Sequence, residues 1–286
     1  MKKSIIIGTI LTAIGLLAAL IGLASGASTD LVWQNGVKID RSYQATKKLK
    51  KFNQLTLNTD GYDVSIQTGT TFKVEINSSK LSRPTISQSN GNLTISNKQF
   101  DPINVGFGRV EPRLTITVPT GTKLAAIKGV LNGGDVNIDT LETKQVQLEV
   151  ATGSLEARNL NITDNGQLTL NNGQLEVKNS TLTNTISDLH NGSTEFDNST
   201  LVGGTLESRN GAQEFDNVTF KQVVNIKNRN GKIEIESPVT DGYRLSSDNG
   251  NIQLFGRHAS HELSENATAT NRIVATNRNG KIEIDD

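Results

Sequence analysis

The sequence predicts an all-β fold: a single-stranded β-helix with coils of 19–20 residues, carried behind one N-terminal transmembrane helix. Three observations predict it. Glycine turns recur at a nearly fixed interval, apolar and polar residues alternate after each turn, and an uncharged apolar stretch lies next to the N-terminus.

The interval comes first. Gly134, Gly153, Gly173, Gly192, Gly211, Gly231 and Gly250 follow one another at steps of 19 or 20 residues, and Gly91 and Gly280 head matching segments outside that run. A period in this range is the signature of a solenoid. Two and four positions after these nine glycines stand pairs such as Val136/Ile138, Leu175/Val177, Ile233/Ile235 and Ile252/Leu254. Thr194 and Gln213 are the two polar exceptions. The positions between are polar except Ala212. Alternation with period two makes a strand with one buried face. No stretch beyond residue 30 sustains a 3.6-residue period, so almost no helix is expected there.

Further strands complete the unit. Val146–Val150, Leu168–Leu170, Val224–Ile226 and Tyr243–Leu245 precede the turns. Asn159, Asn179, Asn198 and Asn217 mark a second corner six positions after the glycine, where Asn supplies a positive φ. A unit of 20 residues cannot bury its apolar face alone, but stacked units can. Stacked about 4.8 Å apart, equivalent residues fall on top of one another. Ile233 and Ile252 are then expected as vertical neighbours. Asn90, Asn172, Asn191, Asn210, Asn230, Asn249 and Asn279, each just before a glycine, are placed to form an amide ladder. A sandwich or barrel of hairpins is the competing architecture, since Asn-Gly also makes tight hairpins. Hairpins do not require an equal period or repeated columns.

The chain divides into an N-terminal membrane anchor or signal segment (1–27), a linker (28–51) and the repeat domain (52–286). Ile5 to Leu23 is uncharged and, as a helix, spans roughly 28 Å, about the hydrocarbon thickness of a bilayer. An uncleaved anchor needs a core of this length; Ala24-Ser25-Gly26-Ala27 would serve as a cleavage site for the alternative, a secreted chain. Lys2 and Lys3 place the short N-terminus in the cytoplasm and the bulk of the chain outside a single-pass membrane segment. The linker carries Trp33 and the run Lys47-Lys48-Leu49-Lys50-Lys51, and reads as a solvated tether. Residues 52–118 alternate with poorer spacing and read as the first, irregular coils. The chain end after Ile284 is expected to need a cap, because an open coil is an exposed sheet edge.

Four features carry a family resemblance. An apolar anchor precedes the domain, which opens with Phe52-x-x-Leu55-x-Leu57, Tyr62-Asp63-Val64-x-Ile66 and Phe72-x-Val74-x-Ile76. Leu114-Thr-Ile116-Thr-Val118-Pro119 precedes the repeats, and turns of a small residue and Gly with alternating strands follow. In this order they resemble the bacterial family of putative adhesins with β-strand repeats, which includes LiaG-like envelope proteins. The resemblance covers about residues 50–286. It implies a right-handed β-solenoid exposed outside the membrane, and it brings no catalytic residues.

Composition narrows the chemistry. No cysteine is present, which excludes disulfides, thiolate metal sites and a Cys nucleophile. Acidic and basic residues balance at 29 each, which gives no reason to expect a nucleic-acid partner. No cofactor motif is found, and the glycines sit at corners rather than in a phosphate loop. His258 and His261, with Glu262 adjacent, fall in what reads as a loop between coils, as solvated side chains. Gly133–Asp139 resembles a calcium-binding nonapeptide but occurs once, as a turn.

One constellation stands out. Glu156, Glu176, Glu195, Glu214 and Glu234 occupy the same position on five successive coils, with Gln253 next and Glu283 further on. Like charges directly opposite in a sheet are destabilising. Arg158, Lys178 and Lys232 are near enough to interleave. The stripe is either a salt-bridged, solvated face or a site for divalent cations or a basic partner. The expected function is a membrane-tethered, extracytoplasmic, non-catalytic surface recognition module, acting in adhesion or in the envelope-stress response, with an envelope polymer or protein as its partner. A polysaccharide-active enzyme built around Asp188, His190, Glu207, Arg209 and Arg229 is the alternative class, and a structural spacer a third.

Overall fold

A computed structural model describes residues 2–24, 31–33, 36–97, 103–104 and 111–286. Among them the one helix is Lys2–Ala24, and nearly everything else is strand. The cleavage-like residues Ser25 to Ala27 lie outside the described residues. The repeat strands pair in parallel, in the register of the sequence period. Val136 lies opposite Leu155, Leu175 opposite Thr194, and Gln213 opposite Ile233. The fold is β-solenoid-like.

Each coil of the central run has three sides. The first ends in Asn-Gly, as in 185–191 paired with 204–210. The second follows the glycine, as in 194–197 paired with 213–216. The third is shorter, as in 200–202 paired with 219–221. Left-handed residues turn the corners. Asn159, Asn179, Asn198 and Asn217 have φ of 51, 50, 47 and 51° between the second and third sides. Asn184, Gly203 and Gln222, at 44, 66 and 58°, stand between the third and the first.

The Asn-Gly corner has a stricter requirement. A Cβ on Gly211 would lie 1.5 Å from the carbonyl oxygen of Gly192, and one on Gly192 would lie 1.6 Å from that of Gly173. Successive coils touch backbone to backbone there, so only glycine fits. The preceding asparagines form the expected ladder. Nδ2 of Asn191 donates to Oδ1 of Asn172 (3.0 Å), Asn210 to Asn191 (2.9 Å), Asn230 to Asn210 (2.9 Å), Asn279 to Asn230 (2.8 Å) and Asn249 to Asn279 (3.1 Å). Asn90 is not part of it; with φ 49° it turns the hairpin between Thr85–Ser89 and Asn92–Ser96.

Apolar columns fill the bore. Burying an Ile or Leu side chain stabilises by about 1.5–3 kcal/mol, and every rung contributes several. Phe196 stacks on Phe215 with ring centroids 5.2 Å apart, and Phe215 meets Phe220 at 5.8 Å. The two polar exceptions also point inward and are buried. Gln213 resolves half of its cost by donating from Nε2 to the Lys227 carbonyl at 2.6 Å.

Coil order departs from chain order at both ends. Ile233 lies opposite Ile282, and Ile282 lies opposite Ile252. The expected direct contact of Ile233 with Ile252 is therefore replaced by an intervening rung, although both remain buried. Residues 272–285 fill the slot between 223–236 and 242–254. The reason is column identity. Residues 228–235 and 277–284 are the same octapeptide, Asn-Arg-Asn-Gly-Lys-Ile-Glu-Ile, and stack residue on like residue. The outermost coil is 242–254. Its edge is closed by antiparallel strands Arg257–Ala259 and Glu262–Glu265, in the stretch expected to be a loop. Ile284 is thus an interior rung and not the open edge anticipated for it.

The other end repeats the device. Leu55 is sandwiched between Leu93 and Ile127, and Val64 between Leu114 and Val136. The outer edges of 92–96 and 113–117 are closed by antiparallel strands Thr85–Ser89 and Lys73–Ser79. Ser42–Lys48 then pairs antiparallel with Lys73–Ser79, and Tyr43 and Ala45 pack on the core. The sheet therefore begins inside the stretch read as linker, because the capping strand has an edge of its own to close. Leu31–Trp33, Val37–Ile39 and Ile103–Asn104 form a separate three-stranded sheet in which Trp33 is exposed.

Candidate functional site

The second side of the solenoid carries the acidic stripe. Its spatial order is Asn137, Glu156, Glu176, Glu195, Glu214, Glu234, Glu283 and Gln253. The five predicted glutamates stand together, and Glu283 joins them through the intercalated coil. Cations interleave. Arg158 pairs with Glu156, and Lys178 lies 2.5 Å from Glu176 and 3.5 Å from Glu195. Lys232 lies 3.0 Å from Glu214 and also pairs with Glu234, and Lys281 pairs with Glu283. These contacts hold the ammonium groups above the usual lysine value. The hydrogen bond to Glu176 dominates for Lys178, those to Glu234 and Glu214 for Lys232, and that to Glu283 for Lys281.

The pairing leaves one gap. Lys178 serves Glu176 and Glu195; Lys232 serves Glu214 and Glu234. No described cation bridges Glu195 to Glu214, which lie directly opposite each other. Their side chains are 41% and 47% exposed, the most open of the ion-paired column. A second acidic column, not singled out from the sequence, flanks them two residues further on. Asp197 lies opposite Asp216, Asp216 opposite Glu236, and Glu236 opposite Asp285. None of these four has a cationic partner among the described residues. Asp197 accepts from Asn198 Nδ2 at 2.6 Å and Asp285 from Gln253 Nε2 at 3.0 Å. The two columns line a shallow groove of about 270 Å³ with Glu195, Asp197, Glu214, Asp216, Glu234 and Glu236. The sequence signal was present, since these acids recur five positions after the glycine.

The first side holds the other predicted cluster. His190 Nε2 is 3.6 Å and Arg209 3.8 Å from Asp188 Oδ2. Glu207 lies opposite Asp188, and Arg229 stands one rung beyond Arg209. Arg278, separated in sequence by 49 residues, stands beyond Arg229 through the register Asn228↔Asn277 and Asn230↔Asn279. His258 sits in a cap strand opposite Gln253. No trio of His, Asp and Glu among the described residues is arranged to hold a metal. In the calcium-like segment, Asp135 accepts the Ser154 N–H at 2.8 Å, a structural contact between coils.

Ile5–Gly22 is long and apolar enough to cross a membrane and none of it is buried, which fits either an anchor or a signal sequence. Helix, solenoid and striped surface together define a β-solenoid protein with one N-terminal apolar helix.

The Toastrack DUF4097 family matches residues 52–285, and the chain belongs to that family. This agrees with the resemblance to bacterial envelope proteins of the adhesin type. Two solved structures share the fold. One is a putative adhesin from Bacteroides fragilis, 15% identical, covering 85% of this chain and 97% of its own, with a TM-score of 0.52. The other is a putative lipid binding protein from Parabacteroides distasonis, 10% identical, covering 86% and 97%, with a TM-score of 0.51. No curated protein matches the chain.

Proposed function

We propose that this chain is a membrane-tethered, extracytoplasmic recognition module that works without catalysis. Its right-handed solenoid presents the acidic second side to a cationic partner. The observation that carries the reading is the unbridged junction of Glu195 and Glu214, flanked by the unpaired Asp216 and Glu236. Like charges held opposite cost a few tenths to about 1 kcal/mol per pair, and a bound cationic group removes that cost. Ile5–Gly22 serves as the anchor, with Lys2 and Lys3 on the cytoplasmic side. Right-handed winding follows the general preference of parallel β crossovers. The adhesin described for the Bacteroides fragilis neighbour is compatible with a surface role.

The test uses the full chain. Protease added to intact cells should remove the solenoid and leave the helix in the membrane. Immobilised full chain should retain polylysine, and Glu195→Gln/Glu214→Gln should retain less. Equal retention by both proteins refutes the recognition role. Calorimetry with calcium at about 10 mM separates the cation alternative, because extracellular calcium modules bind with Kd of about 0.1–1 mM.

A further inference from the structure

We propose that the solenoid binds a second copy of itself, with an arginine column at the Asn-Gly corner of one copy set against the outer acidic column of its neighbour. This rests on the recognition reading above and names the partner.

The basic column is Arg209, Arg229 and Arg278, on three consecutive rungs. All three are exposed beside the asparagine ladder. Arg209 has one long contact to Asp188, at 3.8 Å. Arg229 and Arg278 have no ion-pair partner among the described residues. Like charges stacked at rung spacing repel, as they do on the acidic side. The same three coils carry Asp216, Glu236 and Asp285 on the second side, again without a cation. Over these three coils the two columns are complements in sign and in axial position; the fourth acid, Asp197, lies on the coil that carries His190 in the arginine position.

Spacing makes the match specific. Both columns are carried by the same backbone stacking, so both rise by about 4.8 Å per residue. Two copies side by side, axes parallel and with no axial offset, therefore bring every arginine opposite a carboxylate at once. An extended anionic polymer has no reason to share that rise. Parallel axes are also the arrangement of copies whose N-terminal helices enter one membrane. With 29 acidic and 29 basic residues, the chain has no net charge to hold copies apart. Antiparallel strands cap both outermost coils, so no coil edge is presented for one solenoid to continue the stack of another. The two surfaces differ, so the contact is heterologous and builds lateral rows rather than a closed dimer.

Sedimentation velocity of the full chain in neutral detergent tests this. At about 0.01 M salt, where charges act over roughly 30 Å, the wild type should associate; at about 1 M, where the range is roughly 3 Å, it should not. Arg229→Gln/Arg278→Gln should weaken association about tenfold, and Asp216→Asn/Glu236→Asn should do the same, as a few exposed pairs are lost. An equimolar mixture of the two variants should recover heterodimers and no longer rows, because each retains one intact surface. Association that ignores salt and both variants would belong to the apolar helix, and would overturn the proposal. So would a wild type that stays monomeric at low salt. A monomer that binds polyphosphate through Arg229 and Arg278 would assign the column to a polyanion instead. Polylysine retention by a monomeric wild type would leave the recognition reading standing while this one falls.

Discussion

Substituting Gly211 by Ala tests the stacked-coil architecture at its tightest point. The new Cβ would lie 1.5 Å from the Gly192 carbonyl oxygen, at a φ of 144°. A tolerable contact needs at least 3.0 Å, so the coils must part locally by about 1.5 Å. Across that gap Thr194 N donates to Ala212 O at 3.0 Å and Asn210 Nδ2 to Asn191 Oδ1 at 2.9 Å, and such a displacement takes both bonds out of range. Two hydrogen bonds at about 1 kcal/mol each, plus about 1–3 kcal/mol of backbone strain, give roughly 3–5 kcal/mol. The control is Gly256→Ala. Gly256 has φ 75° and nothing within 4 Å of the point its new methyl group would occupy, so it bears only the left-handed backbone cost of about 1–2 kcal/mol. Thermal unfolding of the full chain in detergent should place Gly211→Ala roughly 5–10 °C below Gly256→Ala. Equal melting temperatures would mean that the coils do not meet backbone to backbone, and the stacking argument would fail with them.

Other outcomes follow from the same geometry. Asn210→Ala removes one ladder bond given and one received, and should cost about 1–2 kcal/mol; Asn172→Ala, at the ladder's end, should cost less in the same denaturant titration. Phe215→Ala empties the centre of the Phe196–Phe215–Phe220 cluster and should cost about 3–5 kcal/mol by urea unfolding. The raised Lys232 contributes stability that is complete below the ordinary lysine value and is lost as pH rises through its higher folded value. Tyr243, pushed up to about 12 by burial and by nearby Glu265 and Asp286, acts in the same direction from about pH 10 upward. Melting temperature should therefore fall on the alkaline side, and Lys232→Met/Tyr243→Phe should flatten that fall; an unchanged alkaline slope would count against both pairings.

Much of this fold is legible because a solenoid turns sequence period into spatial contact. The glycine interval, the alternating pairs and the asparagines before each glycine each become a column, and their order in the chain is their order in space through residues 123–236. The acidic stripe was readable for the same reason. The second acidic column lay in the same alignment, but it mixes Asp and Glu, and Arg158 and Lys178 interrupt it on the lower rungs. Arg278 was out of reach of a fixed period because 49 residues separate it from Arg229.

The ends follow a different rule, and the chemistry of sheet edges explains it. A coil placed last in the chain would leave its N–H and C=O groups open to any strand that met it. Here the chain makes its outermost coil from 242–254, closes it at once with 257–265, and returns to complete an interior rung with 272–285. The return is accurate because 277–284 repeats 228–235 residue for residue. Placed on that copy, Asn279 finds Asn230, Gly280 finds the close contact with Gly231, and Ile282 finds Ile233. An identical octapeptide at an interval that is not a multiple of the coil is thus the sequence mark of an intercalated strand. Deleting 272–286 should then do more than remove a terminus. It leaves 223–236 and 242–254 facing each other across an empty rung. Ile233 N donates to Lys281 O and Phe255 N to Ile284 O, so protection of these two amides against hydrogen exchange should collapse together. Retained protection at Ile233 and Phe255 would mean that the two coils can close directly on one another, as the plain period would have had them do.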